Sequence, residues 1–247
     1  MDFTNKNVVI TGGSTGIGFA TAKAFIHAGA NVWITGRNAQ NLQKAASEIN
    51  SPNLKTIVSD TSTLAGISVL ENAIAEAGNK LDVLHLNAAI AAFAPIEQAT
   101  EEDFDAQFNT NVKGAYFTLQ KLIPHLNNGS SVVFTSSTVA TARSLGTSIY
   151  SATKSAINKI AQTAANELAE RKIRVNIVSP GPTNTPGLDS VASAEVKEYL
   201  ATSTALQRIG TPEEIANSVL FLSSDAASFI TGAELLVDGG AINHMLK

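Results

Sequence analysis

The amino-acid sequence predicts an α/β fold, a doubly wound parallel sheet of about seven strands with helices on both faces. Short β-branched runs alternate with longer Ala-rich helical patterns, which is typical of a parallel sheet with helical crossovers. The strand runs are apolar almost throughout, as expected for strands covered on both faces. No linker, charge block or internal repeat divides the 247 residues, so residues 1–247 are expected to form one domain.

Each predicted strand is a short run rich in Val, Ile, Leu or Thr. The runs are VVIT (8–11), VWIT (32–35), TIVS (56–59), DVLHL (82–86), SVVFT (131–135), RVNIVS (174–179) and ELLVD (234–238). Between them, apolar residues recur with helical spacing and predict six helices. These helices lie at about 17–28, 39–50, 64–78, 101–126, 149–170 and 212–224.

The stretch from Ser179 to about Leu206 interrupts this alternation. It contains Pro180, Pro182 and Pro186 and then a weak helical pattern, and it is far longer than an ordinary connection between a strand and a helix. Long insertions of this kind in a compact domain are usually lids or binding loops. We therefore expect residues 182–207 to form a lid over a substrate site.

Composition excludes several classes of protein. A formal net charge of -4 without any cluster of Lys and Arg argues against nucleic acid or an anionic membrane as a partner. The absence of cysteine excludes disulfides, thiolate metal sites and cysteine nucleophiles. The first residues do not resemble a signal peptide, and no apolar stretch reaches the ~20 residues of a membrane span, so a cytoplasmic location is expected. The histidines at 27, 85, 125 and 244 are scattered, and no metal site is expected.

A glycine-rich turn, TGGSTGIG (11–18), follows the first predicted strand and opens the first predicted helix. Glycines there let the backbone approach a pyrophosphate, and the free N–H groups and dipole at the start of the helix favour negative charge. The spacing from Gly13 to Gly18 also matches the start of a P-loop, but Phe19 stands where that motif requires Lys. The turn therefore predicts a pyrophosphate site, and a nucleotide triphosphatase is disfavoured.

This turn resembles the TGxxxGxG signature of the short-chain dehydrogenase/reductase family, whose compact members have about this length and a Rossmann-type sheet. Further motifs of that family follow in order across almost the whole chain. They are Asp60 after the third strand, LNAA (86–89) in the place of NNAG, Asn111 in NTNVKG, Ser137 in FTSST, Tyr150 and Lys154 in YxxxK, Pro180-Gly181 with Thr185 in PGxxxT, and VDGG (237–240). The ordered set is far more specific than any one motif. It implies an oxidoreductase that uses a nicotinamide cofactor.

The segment SIYSATKSAI carries the implied chemistry, because positions four apart on a helix share a face and Lys154 can stabilise a phenolate at Tyr150. A free tyrosine has a pKa of about 10 and needs nearby positive charge to exchange protons near neutral pH. The resemblance implies that Tyr150 donates the proton, that Lys154 tunes it and binds the nicotinamide ribose, that Ser137 binds the substrate oxygen, and that Asn111 holds a water. Ser136 competes with Ser137, because adjacent strand residues face opposite ways. The family's spacing to Tyr150 favours Ser137.

The resemblance also implies a set of cofactor-binding residues. They are Gly12, Ser14, Thr15, Gly16, Ile17, Gly18, Arg37, Asp60, Asn87, Tyr150, Lys154, Pro180, Gly181, Thr183 and Thr185. Dinucleotide folds choose between NAD and NADP at the end of the second strand, where a carboxylate binds the ribose hydroxyl of NAD. Gly36 stands there instead, and Arg37 follows it, so NADP(H) is favoured. Thr15 stands where many NADP-dependent members add a second basic residue, so use of NAD(H) is not excluded.

The sequence departs from the family pattern at Leu86 and Ala89, which replace the first Asn and the Gly of NNAG. The methyl group of Ala89 stands close to where the family packs its cofactor. We expect the substrate pocket to be lined by segments after Asn87, after Ser137 and within the lid, with mainly apolar walls. Neutral, partly hydrophobic small-molecule ketones, or the corresponding secondary alcohols, are the expected substrates.

Two alternatives to this ketoreductase remain. A 3-oxoacyl-(acyl-carrier-protein) reductase would need a basic docking patch, to which Lys121, Arg171 and Lys172 could contribute. A non-catalytic nucleotide-binding sensor would be expected to lose Tyr150 or Lys154, and the chain keeps both. The Ala-rich helices and the apolar C-terminal strand resemble surfaces by which family members associate, and a homotetramer is expected.

Overall fold

The computed structural model describes residues 1–242, and its centre is one seven-stranded parallel sheet. The strands are β1 Asn7–Ile10, β2 Asn31–Gly36, β3 Leu54–Val58, β4 Leu81–Leu86, β5 Leu126–Thr135, β6 Arg174–Pro180 and β7 Glu234–Val237. Their order across the sheet is β3-β2-β1-β4-β5-β6-β7, and every neighbouring pair is parallel. The predicted doubly wound sheet of seven strands is therefore confirmed.

Nine α-helices surround the sheet among the described residues. They are α1 Gly16–His27, α2 Ala39–Ile49, α3 Leu64–Ala77, α4 Glu101–Gln107, α5 Ala115–Leu122, α6 Ser148–Glu167, α7 Pro186–Asp189, α8 Ala194–Thr202 and α9 Pro212–Ser223. Single 3₁₀ turns lie at Ile96–Gln98, Ile123–His125, Thr138–Ala140, Ala169–Arg171 and Asp225–Ala227.

Two apolar layers cover the two faces of the sheet. On one face, side chains of α1, α2 and α9, such as Phe25, Leu42 and Val219, pack on alternate strand residues. On the other face, α3, α5 and α6 contribute a second buried cluster, which includes Ile74 and Leu122. Strand side chains alternate between the layers, which explains why the strands are apolar at nearly every position.

The segment predicted as one helix over 101–126 is interrupted in the structure. α4 ends at Gln107, a π-helical segment occupies Phe108–Gly114, and α5 continues from Ala115. π-helical turns are rare and occur mostly at functional sites. β5 also begins earlier than the predicted 131–135, because Leu126 already pairs with Leu81 before the register shifts. The long helical pattern in the sequence conceals both irregularities.

The stretch after β6 contains two short helices, α7 and α8, between Gly181 and Arg208. Thr185 caps α7, where its Oγ1 accepts a hydrogen bond from the Leu188 N–H at 3.1 Å. A Cβ placed on Gly16 would lie 3.4 Å from the Thr185 side chain. The beginning of the insertion therefore lies against the glycine-rich turn, at the carboxyl ends of the strands.

Candidate active site

The glycine-rich turn connects β1 to α1 in a shape that only glycine fits easily. Gly12 has a φ of +64°, and a Cβ on Gly18 would lie 2.2 Å from the Gly12 carbonyl oxygen. Thr15 is the N-cap residue of α1 and its side chain makes no capping hydrogen bond, whereas Asn38 and Thr63 cap α2 and α3. The first N–H groups of α1 are therefore open to an anion, which suits the pyrophosphate of a dinucleotide.

Asn87 ties the end of β4 to this turn. Its Nδ2 donates to the carbonyl oxygens of Thr11 and Gly12 at 3.1 and 3.2 Å. The Thr11 hydroxyl in turn accepts hydrogen bonds from the N–H groups of Asn87 and Ala88, at 2.9 and 3.1 Å. The two strand ends are thus fastened together beside the turn, with Ser14 to Gly18 placed where α1 begins.

The adenosine side of the predicted cofactor site lies at the ends of β2 and β3. Arg37 is exposed immediately after β2, and a Cβ on Gly36 would lie 3.1 Å from the Ser14 hydroxyl oxygen. Position 36 therefore faces the glycine-rich turn. Asp60 follows β3, and its Oδ1 accepts a hydrogen bond from the Ser62 N–H at 2.9 Å.

The nicotinamide side of the predicted site lies at the ends of β6 and β7. Pro180 ends β6, and the Gly181 N–H donates to the Val237 carbonyl at 3.0 Å. The Thr183 hydroxyl donates to the Gly181 carbonyl at 2.9 Å, which folds the chain back after the strand. Together with Thr185, these residues bring the start of the insertion towards the glycine-rich turn.

Tyr150, Ser137 and Lys154 come together between the end of β5 and the start of α6. Ser137 lies close enough to Tyr150 to lower the pKa of its phenol, and Lys154 Nζ lies 5.5 Å from the centroid of the Tyr150 ring. Lys154 is 2% exposed, and its Nζ donates to the Thr135 carbonyl at 2.9 Å. The Ser136 hydroxyl points to the Lys154 carbonyl at 3.4 Å, so it is Ser137 that faces the phenol.

Burial sets the charge states of this cluster. Loss of hydration raises the pKa of Tyr150 to about 12, although the Ser137 side chain works in the opposite direction. The same cause lowers the pKa of Lys154 to about 8. At neutral pH the phenol is therefore protonated and the amine is mostly charged. The Lys154 ammonium lies near the face of the ring and donates to a backbone carbonyl. The sequence predicts that this charge lowers the pKa of the phenol, but the opposite effect of burial is larger.

Asn111 lies in the π-helical segment and joins the loop after β4 to α6. Its Oδ1 accepts from the Ile90 N–H at 2.8 Å, and its Nδ2 donates to the Ile90 carbonyl at 2.9 Å and to Thr153 Oγ1 at 3.1 Å. Thr153 in turn donates to the Tyr150 carbonyl at 2.7 Å. The side chain of Asn111 thus supports the backbone on both sides of the phenol.

The chain is similar to known oxidoreductases over nearly its whole length. A family model described as enoyl-(acyl carrier protein) reductase matches residues 12–242. The chain belongs to the short-chain dehydrogenase/reductase family. An oxidoreductase of Sarocladium schorii is 36% identical over 96% of both chains. An NADP-dependent (R)-specific alcohol dehydrogenase of Lentilactobacillus kefiri is 34% identical over 95% of this chain and 96% of its own.

Solved structures of the family superpose closely. A short-chain dehydrogenase from Burkholderia cenocepacia in complex with NADP has a TM-score of 0.91 and 32% identity, covering 98% of this chain and 100% of that one. A 3-ketoacyl-(acyl-carrier-protein) reductase from Brucella melitensis complexed with NADH has a TM-score of 0.90 and 32% identity over 97% and 99%. The protein is accordingly an oxidoreductase with the Rossmann-like sheet of short-chain dehydrogenases/reductases.

Sequence reasoning missed two contacts of this short-chain dehydrogenase/reductase. Thr153 connects Asn111 to the backbone of Tyr150. The ring of Phe93 packs edge-on against the ring of Tyr150, with centroids 5.7 Å apart and an angle of 76° between the planes. Phe93 is the sole aromatic residue of the Ala-rich run AAIAAFA (88–94), which was the available signal.

Residues 1–242 contain neither a membrane-spanning helix nor a cluster of metal ligands. None of their helices has the length and apolar character that crossing a bilayer requires. Within the same residues, no cluster of three or more His, Asp or Glu side chains is arranged to hold a metal ion. His85 is buried in β4 and contacts Thr135 at 2.7 Å. His244 lies outside the described residues.

Proposed function

We propose that this short-chain dehydrogenase/reductase is a ketoreductase that reduces neutral, partly hydrophobic ketones and oxidises secondary alcohols in reverse. The observation that carries the proposal is the cluster of Ser137, Tyr150 and Lys154, which follows the carboxyl end of β5 in the same parallel sheet whose β1 leads into the glycine-rich turn. The site would hold a nicotinamide cofactor, which when bound would supply the hydride for the carbonyl carbon. The protein's own residues must then orient the ketone, provide the proton and balance the charge.

Tyr150 is suited to provide that proton, because burial keeps its phenol protonated at neutral pH. As the C=O π bond opens, the oxygen takes the phenolic proton, while Ser137 positions that oxygen by a hydrogen bond. The charged amine of Lys154 stabilises the phenolate left behind. Both polar side-chain atoms of Asn111 already form hydrogen bonds within the protein, so a water that returns a proton towards Lys154 would bind a backbone oxygen of the π-helical segment.

Binding of the cofactor is assigned to the residues around the turn. Residues 12–18 and the start of α1 would hold the pyrophosphate, and Asp60 with Asn87 would border the adenosine side and the turn. Lys154 and Tyr150 would contact the nicotinamide ribose. The segment Pro180, Gly181, Thr183 and Thr185 would border the nicotinamide. In that segment the hydroxyls of Thr183 and Thr185 already serve the backbone, so backbone groups are the expected contacts.

NADP(H) is the proposed preferred cofactor. Position 36 faces the turn and carries no carboxylate that would repel a 2′-phosphate, and the exposed Arg37 can bind one. The (R)-specific alcohol dehydrogenase of Lentilactobacillus kefiri is NADP-dependent, which supports the preference. The 3-ketoacyl reductase of Brucella melitensis was solved with NADH and the dehydrogenase of Burkholderia cenocepacia with NADP. Both are 32% identical to this chain, so identity alone does not decide between the two cofactors.

Arg37→Ala should lower kcat/KM for NADPH about tenfold or more and leave that for NADH within about twofold, because a charge-assisted bond to the phosphate is lost. Steady-state kinetics with both cofactors measure this. Lys172→Ala, which removes an exposed charge just before the amino end of β6, is the matched control. A wild-type enzyme that uses NADH as efficiently as NADPH would overturn the preference.

Reduction of the 3-oxo group of acyl-carrier-protein thioesters is the second candidate, and the likeness to the 3-ketoacyl-(acyl-carrier-protein) reductase of Brucella melitensis supports it. Two members of the basic patch that it would require are engaged within the protein. Lys121 pairs with Glu71 at 3.0 Å, and the Arg171 guanidinium binds the carbonyls of Ile123 and Leu126. Ketone reduction is therefore preferred, and the non-catalytic sensor is disfavoured by the assembled cluster around Tyr150.

A screen of purified protein tests the proposal. Neutral ketones and a 3-oxoacyl thioester are offered with NADPH or NADH, and loss of reduced cofactor is followed together with the alcohol product. We expect stoichiometric formation of alcohol from ketones. Thioester activity far above that on every ketone would favour the second candidate, and cofactor binding without any turnover would favour the sensor.

A further inference from the structure

Phe93 is an aromatic side chain without a complete packing environment beside the proposed proton donor. Its ring makes an edge-on contact with Tyr150, yet 45% of the side chain remains exposed. The other residues of the run AAIAAFA are small or aliphatic, so no other ring in that run competes for the same space. An exposed phenylalanine at this place offers an aromatic surface to whatever binds next to Tyr150.

Hydrogen bonds to the backbone hold residues 90–94 in place at every second residue. Asn111 binds both backbone groups of Ile90, Gln107 Nε2 donates to the Ala92 carbonyl at 3.2 Å, and the Ala94 N–H donates to the Gly146 carbonyl at 2.9 Å. Gln107 itself is fully buried. Phe93 therefore projects from a braced backbone, and little ordering is required when a ligand packs on it.

The run of sequence that carries Phe93 is apolar. The run 88–94 contains no ionisable side chain, and the facing segment at Gly146 follows Leu145, whose side chain is completely exposed. A ketone whose oxygen is hydrogen-bonded to the Tyr150 phenol carries two carbon substituents. One of them can extend towards Phe93, because the Phe93 ring packs on the Tyr150 ring.

We propose that Phe93 selects aryl ketones, in which an aromatic ring is attached directly to the carbonyl carbon. Aromatic rings favour edge-to-face or offset contacts at centroid distances of 4.5–7 Å and gain from them beyond the area that they bury. A third ring packed on Phe93 would extend the pair that Phe93 already makes with Tyr150. This inference rests on the proposed ketone reduction and names the substrate class of the same site.

Two ketones of similar size separate aromatic contact from simple hydrophobic burial. Methyl phenyl ketone and methyl cyclohexyl ketone differ mainly in the aromaticity of the ring. For each enzyme we measure kcat/KM for the aryl ketone divided by kcat/KM for the cyclohexyl ketone. This ratio is then divided by the same ratio of rates for reduction by borohydride, which corrects for the different intrinsic reactivity of the two carbonyl groups. In the wild type this corrected ratio should favour the aryl ketone by about two- to tenfold. Phe93→Leu should bring it close to one, whereas Phe93→Tyr, which keeps the ring, should retain it.

Phe229→Leu is the matched control, because Phe229 is fully exposed and precedes the amino end of β7, whereas Tyr150 follows the carboxyl end of β5. Titration with NADPH establishes that each variant is folded. An unchanged ratio in Phe93→Leu, or a wild type that reduces other ketones but not methyl phenyl ketone, would overturn the aryl preference while ketone reduction stands. A wild type that binds NADPH but reduces no ketone overturns both proposals.

Discussion

Burial of two titratable groups at the active site is the main electrostatic feature at the scale of single residues. Lys154 has lost its water, and its amine is held by the Thr135 carbonyl at 2.9 Å. Burial lowers the pKa of Lys154 to about 8 and raises the pKa of Tyr150 to about 12. The charged amine exists below pH 8, where the phenol still keeps its proton, and this combination suits reduction of a ketone.

The pH dependence of reduction follows from Lys154. Its charged form is present below the pKa of about 8 and is lost as the pH rises through that value, so kcat/KM for ketone reduction should fall above pH 8. In Lys154→Arg the fall should move to higher pH, since a guanidinium keeps its charge. Initial rates over a pH series measure this. An unchanged fall near pH 8 in the Arg variant would assign it to another group.

His85 is a second buried titratable residue, and it bears on stability. Burial lowers its pKa to about 3, so the folded protein keeps the ring neutral while an unfolded chain binds a proton below about pH 6.5. Stability is therefore fully present above pH 6.5 and declines as the pH falls, by up to about 1.4 kcal/mol per pH unit. Urea unfolding at pH 7 and pH 5 measures the decline.

In His85→Phe the decline between pH 7 and pH 5 should be smaller than in the wild type, because this ring no longer takes up a proton on unfolding. His27 is exposed on α1, and His27→Phe is the matched control, with an unchanged decline. Equal slopes in the wild type and His85→Phe would contradict the account.

The proposed catalytic cluster could be chosen from the sequence because Ser137, Tyr150 and Lys154 occur in the order and at the spacing of the family's motifs. Tyr150 and Lys154 share a helix face, and Ser137 stands at a strand end a fixed distance before them. The contacts of Phe93 and Thr153 could not be predicted in the same way. They depend on how the loop after β4 lies against α6, and no local pattern specifies that packing.

At the scale of elements, the π-helical segment Phe108–Gly114 is the principal irregularity. It places Asn111 so that one amide serves Ile90 and Thr153 at once. The hydrophobic pattern predicted a continuous helix over 101–126, because one extra residue in a turn shifts the pattern without breaking it. The sheet was more predictable, since each of its strands is a separate apolar run between turns.

Removal of the Asn111 amide should loosen the loop that carries Phe93. Asn111→Leu leaves the Ile90 backbone groups unpaired, and we expect the free energy of unfolding to fall by about 1–3 kcal/mol. Ketone kcat/KM should fall with it. The matched control is Asn109→Leu in the same segment, where the amide oxygen binds only the Lys113 amine. A loss of equal size in both variants would show that the segment, and not the Ile90 contact, is responsible.

At the scale of the whole molecule, several exposed apolar side chains lie on α4, α5 and β7. Phe104 on α4 and Tyr116 on α5 are each 46% exposed, and Leu236 lies on the edge strand β7. These are the helices and strand for which the sequence predicts association. The order of the strands and the insertion of α7 and α8 also belong to this scale, because they depend on contacts between distant parts of the chain.

We expect a homotetramer, and light scattering at micromolar concentration measures it. Tyr116→Glu should yield a smaller species, because a charge would be buried at the contact. Lys172→Ala, at an exposed turn before β6, serves as the control with unchanged mass. A wild type that is monomeric at this concentration would refute the expectation.

The central claim is that Tyr150 delivers the proton during ketone reduction. Tyr150→Phe removes one oxygen atom and keeps the ring that contacts Phe93. The decisive measurement is single-turnover reduction of a ketone by enzyme saturated with NADPH, together with the Kd for NADPH. The account predicts a rate at least about a hundredfold lower with a Kd changed by only a few fold. A variant that binds NADPH and reduces the ketone at nearly the wild-type rate would contradict it.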